Sequence, residues 1–299
     1  MASAPLPLRD GLDPTRLRLP NSTEWPTVLS YLVARFPHDA VRIRSKVAAR
    51  EIVSQDGSAI TEDTPFVRHT FVYLYRDPPT EKRVPFELDV LHRDDDLLVV
   101  DKPHFLATTP RGAHVVESAL VRLRRELGLV DVSPAHRLDR LTAGVLLFTL
   151  RPALRRDYQT MFADRRVRKT YEAIAPYDAD LQLPRTVHSR ILKDRGRLQA
   201  YEAPGEANSE TLVELVERRR DHALYRLTPA TGKTHQLRVH MSSLGLGLVG
   251  DNFYPEFYDV PGDDYSEPLR LLARSIEFDD PITGRPRTFT SRRTLTWPQ

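Results

Sequence analysis

The 299-residue chain reads as an α+β protein: a mixed, largely antiparallel sheet with flanking helices, preceded by a small separate module. Three observations predict it. Short apolar or β-branched runs of strand length recur at Leu97–Val100, Val145–Leu150, Lys169–Ala175, Thr211–Val216 and Ala223–Leu227. Only a few segments between them carry helical spacing, and no internal repeat or low-complexity tract is present. A proline-rich, charged stretch, Asp77-Pro78-Pro79-Thr80-Glu81-Lys82, divides this region from what precedes it.

In chain order, residues 1–22 are rich in proline and polar residues and read as a flexible leader. Residues 23–78 form the small N-terminal module. Within it, Val28, Leu29, Leu32, Val33 and Phe36 give residues 24–36 the spacing of a short helix. A basic, mixed segment runs on to Arg50, and Ile52 to Val72 alternates turn signals such as Asp56-Gly57 with short apolar runs, as small hairpins do. The second domain spans 79–299. Leu97–Val100 is a buried-strand candidate that ends at Asp101-Lys102-Pro103. Val116, Leu120, Leu123 and Leu127 follow helical spacing, and Gly128 is a suitable stop. Val145–Leu150 is a strand, and Pro152 suits the first turn of a helix carrying Leu154, Tyr158, Met161 and Phe162. Three further strands follow, the last two flanking a turn around Arg218–Asp221. Thr234 is a candidate N-cap for a helix through Ser243, with Gly245 just past its end.

Composition bounds the function. Hydrophobic residues make up 40% of the chain, enough for a real core. The net charge of +3 is mild and permits a nucleic-acid partner without demanding one. The distribution says more: from Arg137 to Thr170 nine basic residues stand against three acidic ones. Such a cluster is also what a solvated surface face looks like. With no cysteine, disulfides and Cys-ligated zinc are excluded. No signal-peptide core and no apolar run near ~20 residues occurs, so a soluble, cytoplasmic monomer without membrane contact is expected.

Three segments could carry chemistry. In His136-Arg137-Leu138-Asp139-Arg140-Leu141-Thr142-Ala143-Gly144, an acid sits between two arginines just ahead of a strand. Ala143 and Gly144 would let the backbone pass close to a ligand. Taken alone, the segment favours a structural aspartate that caps a turn and pairs with arginine. The second segment is Thr228 to His240, a strand, a Gly loop and a helix start, with Lys233 and backbone N–H groups available to a phosphate. It is not a Walker A loop, because position 227 is Leu where glycine is required. His235 and His240 are five apart, a poor spacing for one helix face, so no metal site is expected. Packing and hydrogen bonding around the loop account for both. The third is Arg168-Lys169-Thr170-Tyr171, where a tyrosine on a basic strand either stacks on a base or sits at the core's rim.

Together and in this order, the segments resemble the RluA-type family of RNA pseudouridine synthases. The likeness covers about two-thirds of the chain: Asp94–Pro103, the His-Arg-Leu-Asp motif, Lys169-Thr170-Tyr171, Leu227–His240, Gly245–Asp251, Leu272-Ala273, and Phe278 with Asp280–Gly284. One departure is visible, Thr142-Ala143-Gly144 where the family often has Thr-Ser-Gly. The resemblance implies a pseudouridine synthase fold with a central RNA-binding cleft. It places Asp139 on the essential aspartate, Tyr171 on the tyrosine that stacks on the target uracil, and Arg238 on the basic partner of the aspartate. Arg137 falls on an arginine able to fill the gap left in the RNA. Arg140, Arg168, Lys169, Lys233 and His235 are expected to contact RNA, and Leu248 or Val249 to pack under the base. The N-terminal module weakly resembles the S4 RNA-binding domain, and a family-specific extension fits its pattern equally.

The implied reaction detaches uracil from C1′ through N1 and reattaches it through C5. Nothing is oxidised and no group leaves, so no metal or cofactor is expected. The carboxylate attacks C1′ or uracil C6, or removes the C2′ proton, and the sequence leaves all three open. The partner is structured RNA, rRNA ahead of tRNA, with the target base flipped out. Two other readings compete. A non-catalytic RNA-binding protein on the same fold would not need Asp139, Tyr171 and Arg238 together. A glycosidase would need a second carboxylate with a motif around it, and none is evident.

Overall fold

The computed structural model describes residues 4–78 and 80–298. The chain forms two compact units, one ending at Thr80 and one beginning at Glu81. Pro79 of the expected linker, and residues 1–3 of the expected leader, lie outside the described residues.

In the first unit, β1 (Thr15–Arg18), α1 (Val28–Arg35), α2 (Ala40–Ala48), β2 (Val53–Ser54) and β3 (Phe71–Leu74) enclose their own core. The strand order is β1-β3-β2. The leader expected over 1–22 is therefore corrected. Leu17 pairs with Val72, Leu19 is buried, and the Tyr75 hydroxyl donates to Pro7 O. The pairing spans the whole unit, so no local pattern announced it. α1 starts later than expected, at a capping box of Thr27 and Ser30. α2 occupies the basic, mixed segment that runs on to Arg50. It forms because Ile43 and Val47, one turn apart, bury one stripe while the arginines stay outside.

The second unit holds β4 (Asp89–Arg93), β5 (Leu97–Lys102), α3 (Ala119–Glu126), β6 (Ser133–Pro134), β7 (Ala143–Thr149), α4 (Arg155–Ala163) and β8 (Val167–Pro176). β9 (Arg185–Ser189), β10 (Ile191–Leu192), β11 (Tyr201–Glu202), β12 (Ser209–Arg219), β13 (His222–Pro229), α5 (Gln236–Ser243), β14 (Leu271–Asp279) and β15 (Pro286–Thr290) complete it. The main sheet runs β4-β5-β7-β14-β8-β13-β12-β9, with β6 on β7 and β15 on β14. β7 and β14 are parallel, and the other pairs are antiparallel.

Leu97–Val100 of β5 and Ala143–Phe148 of β7 are continuous apolar runs because both faces of these strands are covered. Leu98, Val100, Leu146 and Phe148 share a core with Leu120 and Leu123 of α3. Leu97, Val99, Val145 and Leu147 pack with Tyr158 and Met161 of α4. A third core joins β8, β12 and β13 to Leu237 and Met241 of α5. Leu141 and Tyr171 border both the α3 core and the α5 core, and the seam between those cores is where the candidate site lies.

The central register explains one glycine. Gly144 pairs with Ala273, which in turn pairs with Tyr171. Gly144 has φ of 114°, and a Cβ there would fall on the Ala273 backbone. The expected close approach is thus to β14, not to a ligand. The expected start of the last helix also shifts. Thr234 does not cap it; the N-cap is His235, and the Gln236 side chain reaches back to accept from Lys233 N at 3.0 Å.

Candidate active site

Asp139 lies in the loop joining β6 to β7, and the backbone on both sides of it is pinned. Leu138 N donates to Thr108 Oγ1 at 3.1 Å, and that hydroxyl donates to Leu138 O at 2.8 Å. Lys102, wholly buried at the end of β5, donates to Pro103 O, Leu106 O and Arg140 O at 2.9, 2.8 and 3.3 Å. These three carbonyls use the three N–H bonds of the ammonium group. Burial pushes the lysine well below its ordinary pKa. His104 Nδ1 lies 2.7 Å from Leu141 O, and since a carbonyl only accepts, Nδ1 carries the proton. Burial lowers this imidazole to about 4, so it is neutral near pH 7. The segment after β5 thus fixes the loop, leaving the half-buried Asp139 side chain facing a cleft of about 870 Å³.

The charge partner expected for Asp139 is present, with an addition. Arg238 Nη1 lies 3.8 Å from Asp139 Oδ2. The rest of the guanidinium makes a two-point bond with Asp251, Nε to Oδ2 at 2.8 Å and Nη2 to Oδ1 at 2.6 Å. Both side chains of that second pair are buried, and Asp251 Oδ1 also accepts from Phe253 N at 2.8 Å. Burial opposes the charge on Arg238, but Asp251 and Asp139 outweigh it and raise its pKa. Its carbon lies 4.9 Å from the Phe253 ring centre. Arg238 is a fixed cation, clamped from behind, that presents one remaining arm to Asp139.

Tyr171 lines the same cleft from β8. Burial, and then the Asp139 charge, push its phenol above the ordinary range, so the hydroxyl stays protonated near neutral pH. Basic side chains reach the cleft from five segments, through Arg111, Arg137 with Arg140, Arg165 with Lys169, Lys193 with Arg197, and Lys233 with Arg238. Among the described lining residues only Asp139 and Asp259 are acidic. A long polyanion fits such a surface. Among the described residues, no cluster of three or more His, Asp or Glu is placed to hold a metal ion.

The family model for RNA pseudouridylate synthase matches residues 96–243. A protein of Haemophilus influenzae named dual-specificity RNA pseudouridine synthase RluA is 32% identical over 224 residues, covering 72% of this chain and 96% of the relative. The Pasteurella multocida protein of the same name is 31% identical over 227 residues, covering 72% and 95%. The chain belongs to the RluA-type family of RNA pseudouridine synthases. The fold agrees: human RNA pseudouridylate synthase domain containing 1 superposes with a TM-score of 0.57 at 24% identity, over 72% of this chain and 86% of that one.

The synthase cleft gathers most of the residues that the sequence singled out. Arg137, Asp139, Arg140, Lys169, Tyr171, Lys233, His235 and Arg238 all line it. Two do not. Arg168 is separated from both Lys169 and the cleft by strand alternation, and faces Glu277 on β14 at 3.7 Å. Leu248 is buried in the α5 core instead of lining the cleft, and Val249 is held by Ile174 O and Arg270 N. A smaller pocket that shares Asp139, Tyr171 and Arg238 takes apolar lining from Leu138, Pro229, Leu237 and Leu271. Sequence reasoning also passed over Lys102, His104, Thr108 and Asp251. For Asp251 a signal existed: Arg238 stands between apolar Leu237 and Val239, and a buried arginine needs a counter-charge. Nothing local said which acid supplies it.

Proposed function

We propose that the chain isomerises particular uridines of structured RNA, rRNA ahead of tRNA, using Asp139 as the nucleophilic carboxylate on a flipped-out base. The observation that carries this is the pinned carboxylate facing Arg238 in a basic cleft that Tyr171 also lines. The target uracil stacks on Tyr171, which offsets part of the few kcal/mol that extrusion costs. Arg137, exposed at the cleft, fills the vacated space. The Asp139 carboxylate then acts at C1′, at C6 or on the C2′ proton. The N1–C1′ bond breaks, the uracil turns, and C5 bonds to C1′ while N1 gains a proton. A proton leaves C5 last. Tyr171 stays protonated, so a water held by its hydroxyl is the better base than the phenol itself.

The preference for rRNA rests on the first unit, where α2 carries Arg42, Arg44 and Lys46, in keeping with an S4-like RNA-binding module. "Dual-specificity" in the names of the two relatives makes more than one class of RNA worth offering. Uridine-labelled rRNA and tRNA, incubated with the protein and with Asp139→Ala, give the test. Pseudouridine should form with the wild type, more in rRNA, and fall to background in the variant. No product from any RNA would sink the enzyme reading, and product from Asp139→Ala would sink the nucleophile.

A further inference from the structure

His235 has a backbone φ of 56°, in the left-handed region. A non-glycine residue stays there only where its surroundings hold it. A short chain of hydrogen bonds does so. His235 Nδ1 lies 2.9 Å from Tyr254 Oη, and Tyr254 Oη lies 2.8 Å from Ala200 O. The Ala200 carbonyl can only accept, so the single phenolic proton points there. The Tyr254 oxygen must then accept from His235, which places the imidazole proton on Nδ1. Burial holds His235 below its ordinary pKa against the opposing pull of Asp139. The ring is therefore neutral near pH 7, with a bare Nε2.

That bare nitrogen faces Asp139 Oδ2 at 4.0 Å. The gap is too long for a hydrogen bond, and in this tautomer neither atom has a proton to give. Arg238 Nη1 lies 3.8 Å from the same oxygen and is held from behind by Asp251, so it does not close the gap. Two acceptors facing each other across an open gap are a berth for a donor. A uridine in RNA brings two donors, the N3–H of the base and the 2′-hydroxyl of the ribose. N3 lies across the ring from C6 and away from the glycosidic bond. Docking N3–H here would turn C6 and C1′ away from the carboxylate, which must reach C1′, C6 or the C2′ proton. The 2′-hydroxyl is one carbon removed from C1′. Docking it here brings C1′ and C2′ to Asp139.

We propose that His235 is a positioning residue whose Nε2 accepts a hydrogen bond from the 2′-hydroxyl of the target ribose, aligning C1′ with Asp139 and selecting RNA over DNA. This rests on the assignment of Asp139 above. The 2′-hydroxyl is the group that lets a protein tell RNA from DNA at one position, and a site with a buried acceptor rejects an analogue lacking the donor.

The test uses a stem-loop RNA spanning the uridine identified by the labelling assay. Pseudouridine already occupies the target position, so turnover does not intervene. Three versions differ only at the target sugar: 2′-hydroxyl, 2′-deoxy and 2′-fluoro. Fluorine keeps a ribose-like pucker but cannot donate. Wild-type protein should bind both the deoxy and the fluoro RNA about tenfold more weakly than the hydroxyl RNA, the scale of one lost hydrogen bond to a buried acceptor. In His235→Phe, which keeps a ring but no nitrogen, the three affinities should converge. Tyr254→Phe, which keeps the imidazole but frees its tautomer, should narrow the difference part-way. Equal binding of the three RNAs by the wild type overturns the proposal, as does tight binding of the fluoro RNA or an unchanged ratio in His235→Phe. Should His235→Phe fail to fold, the wild-type ratios still decide. A wild type that makes pseudouridine but ignores the 2′ position defeats this inference alone, whereas one that makes none defeats the underlying function.

Discussion

Asp251 shows how a residue can hold a site's cation from behind and still be nearly invisible in sequence. Asp139 and Tyr171 were legible only because their segments, taken together and in order, resemble the family; alone, the first favoured a structural aspartate and the second left its tyrosine at the core's rim or on a base. Asp251 sits between Gly250 and Asn252 with no such neighbours, and its role appears only when α5 brings Arg238 to it. Removing it leaves Arg238 buried without its two-point partner, and also frees the Phe253 and Tyr254 amides. Asp251→Ala should cost about 3–5 kcal/mol of stability, the usual penalty for breaking a buried pair from one side. Asp251→Asn keeps an acceptor and should cost less. Urea denaturation measures both. If Asp251→Ala unfolds at the wild-type urea concentration, Arg238 does not depend on this clamp.

Among the elements, the strands were read most easily because their signal is local. β5, β7, β8, β12 and β13 each contain the apolar run that announced them. α2 was missed because its buried stripe is just Ile43 and Val47 among charged residues. The start of α5 was misplaced because its N-cap is His235, a left-handed residue whose side chain makes no cap bond, so no Ser, Thr, Asp or Asn signal marks it. What no element reveals alone is the parallel contact of β7 with β14, which sets the Asp139 loop beside Tyr171. Gly144 makes that contact possible. Gly144→Ala adds a Cβ against the Ala273 backbone at a φ of 114°. Strain and overpacking together should lower stability by about 2–4 kcal/mol. Turnover should fall as well, since the loop ahead of β7 carries Asp139. A variant that melts with the wild type and isomerises uridine as fast would show that the two strands have room to part.

At the scale of the whole molecule, the chain divides at 80/81, within the proline-rich stretch, and the strand in the supposed leader had no local signal. Pairing between residues more than fifty positions apart leaves no trace in a short window. The same holds for buried histidines, which look alike in sequence whether solvated or not. Besides His235, three in the second unit are held neutral by burial: His104 and His240 near a pKa of about 4, and His136 near about 3. Each has its buried bonds made with a neutral ring, His136 Nε2 accepting from Leu147 N and His240 lying between Thr211 and the Ser189–Ser209 pair. In the unfolded chain these rings titrate near 6.5. Between pH 6.5 and 4 the unfolded state therefore binds more protons than the folded one, and stability must fall as pH is lowered. The stabilisation is complete above 6.5, and each histidine can withdraw up to about 1.4 kcal/mol per pH unit on the way down. Carboxylates held low, such as Asp280, withdraw theirs only at more acid pH, so the histidines dominate the upper part of the range. Urea titrations of the second unit's unfolding at pH 7.5, 6.5, 5.5 and 5.0 should give nearly constant stability over the first step and a steepening loss over the next two. His240→Asn should flatten part of that loss. A wild-type profile already flat between pH 6.5 and 5 would mean that these rings accept protons without unfolding.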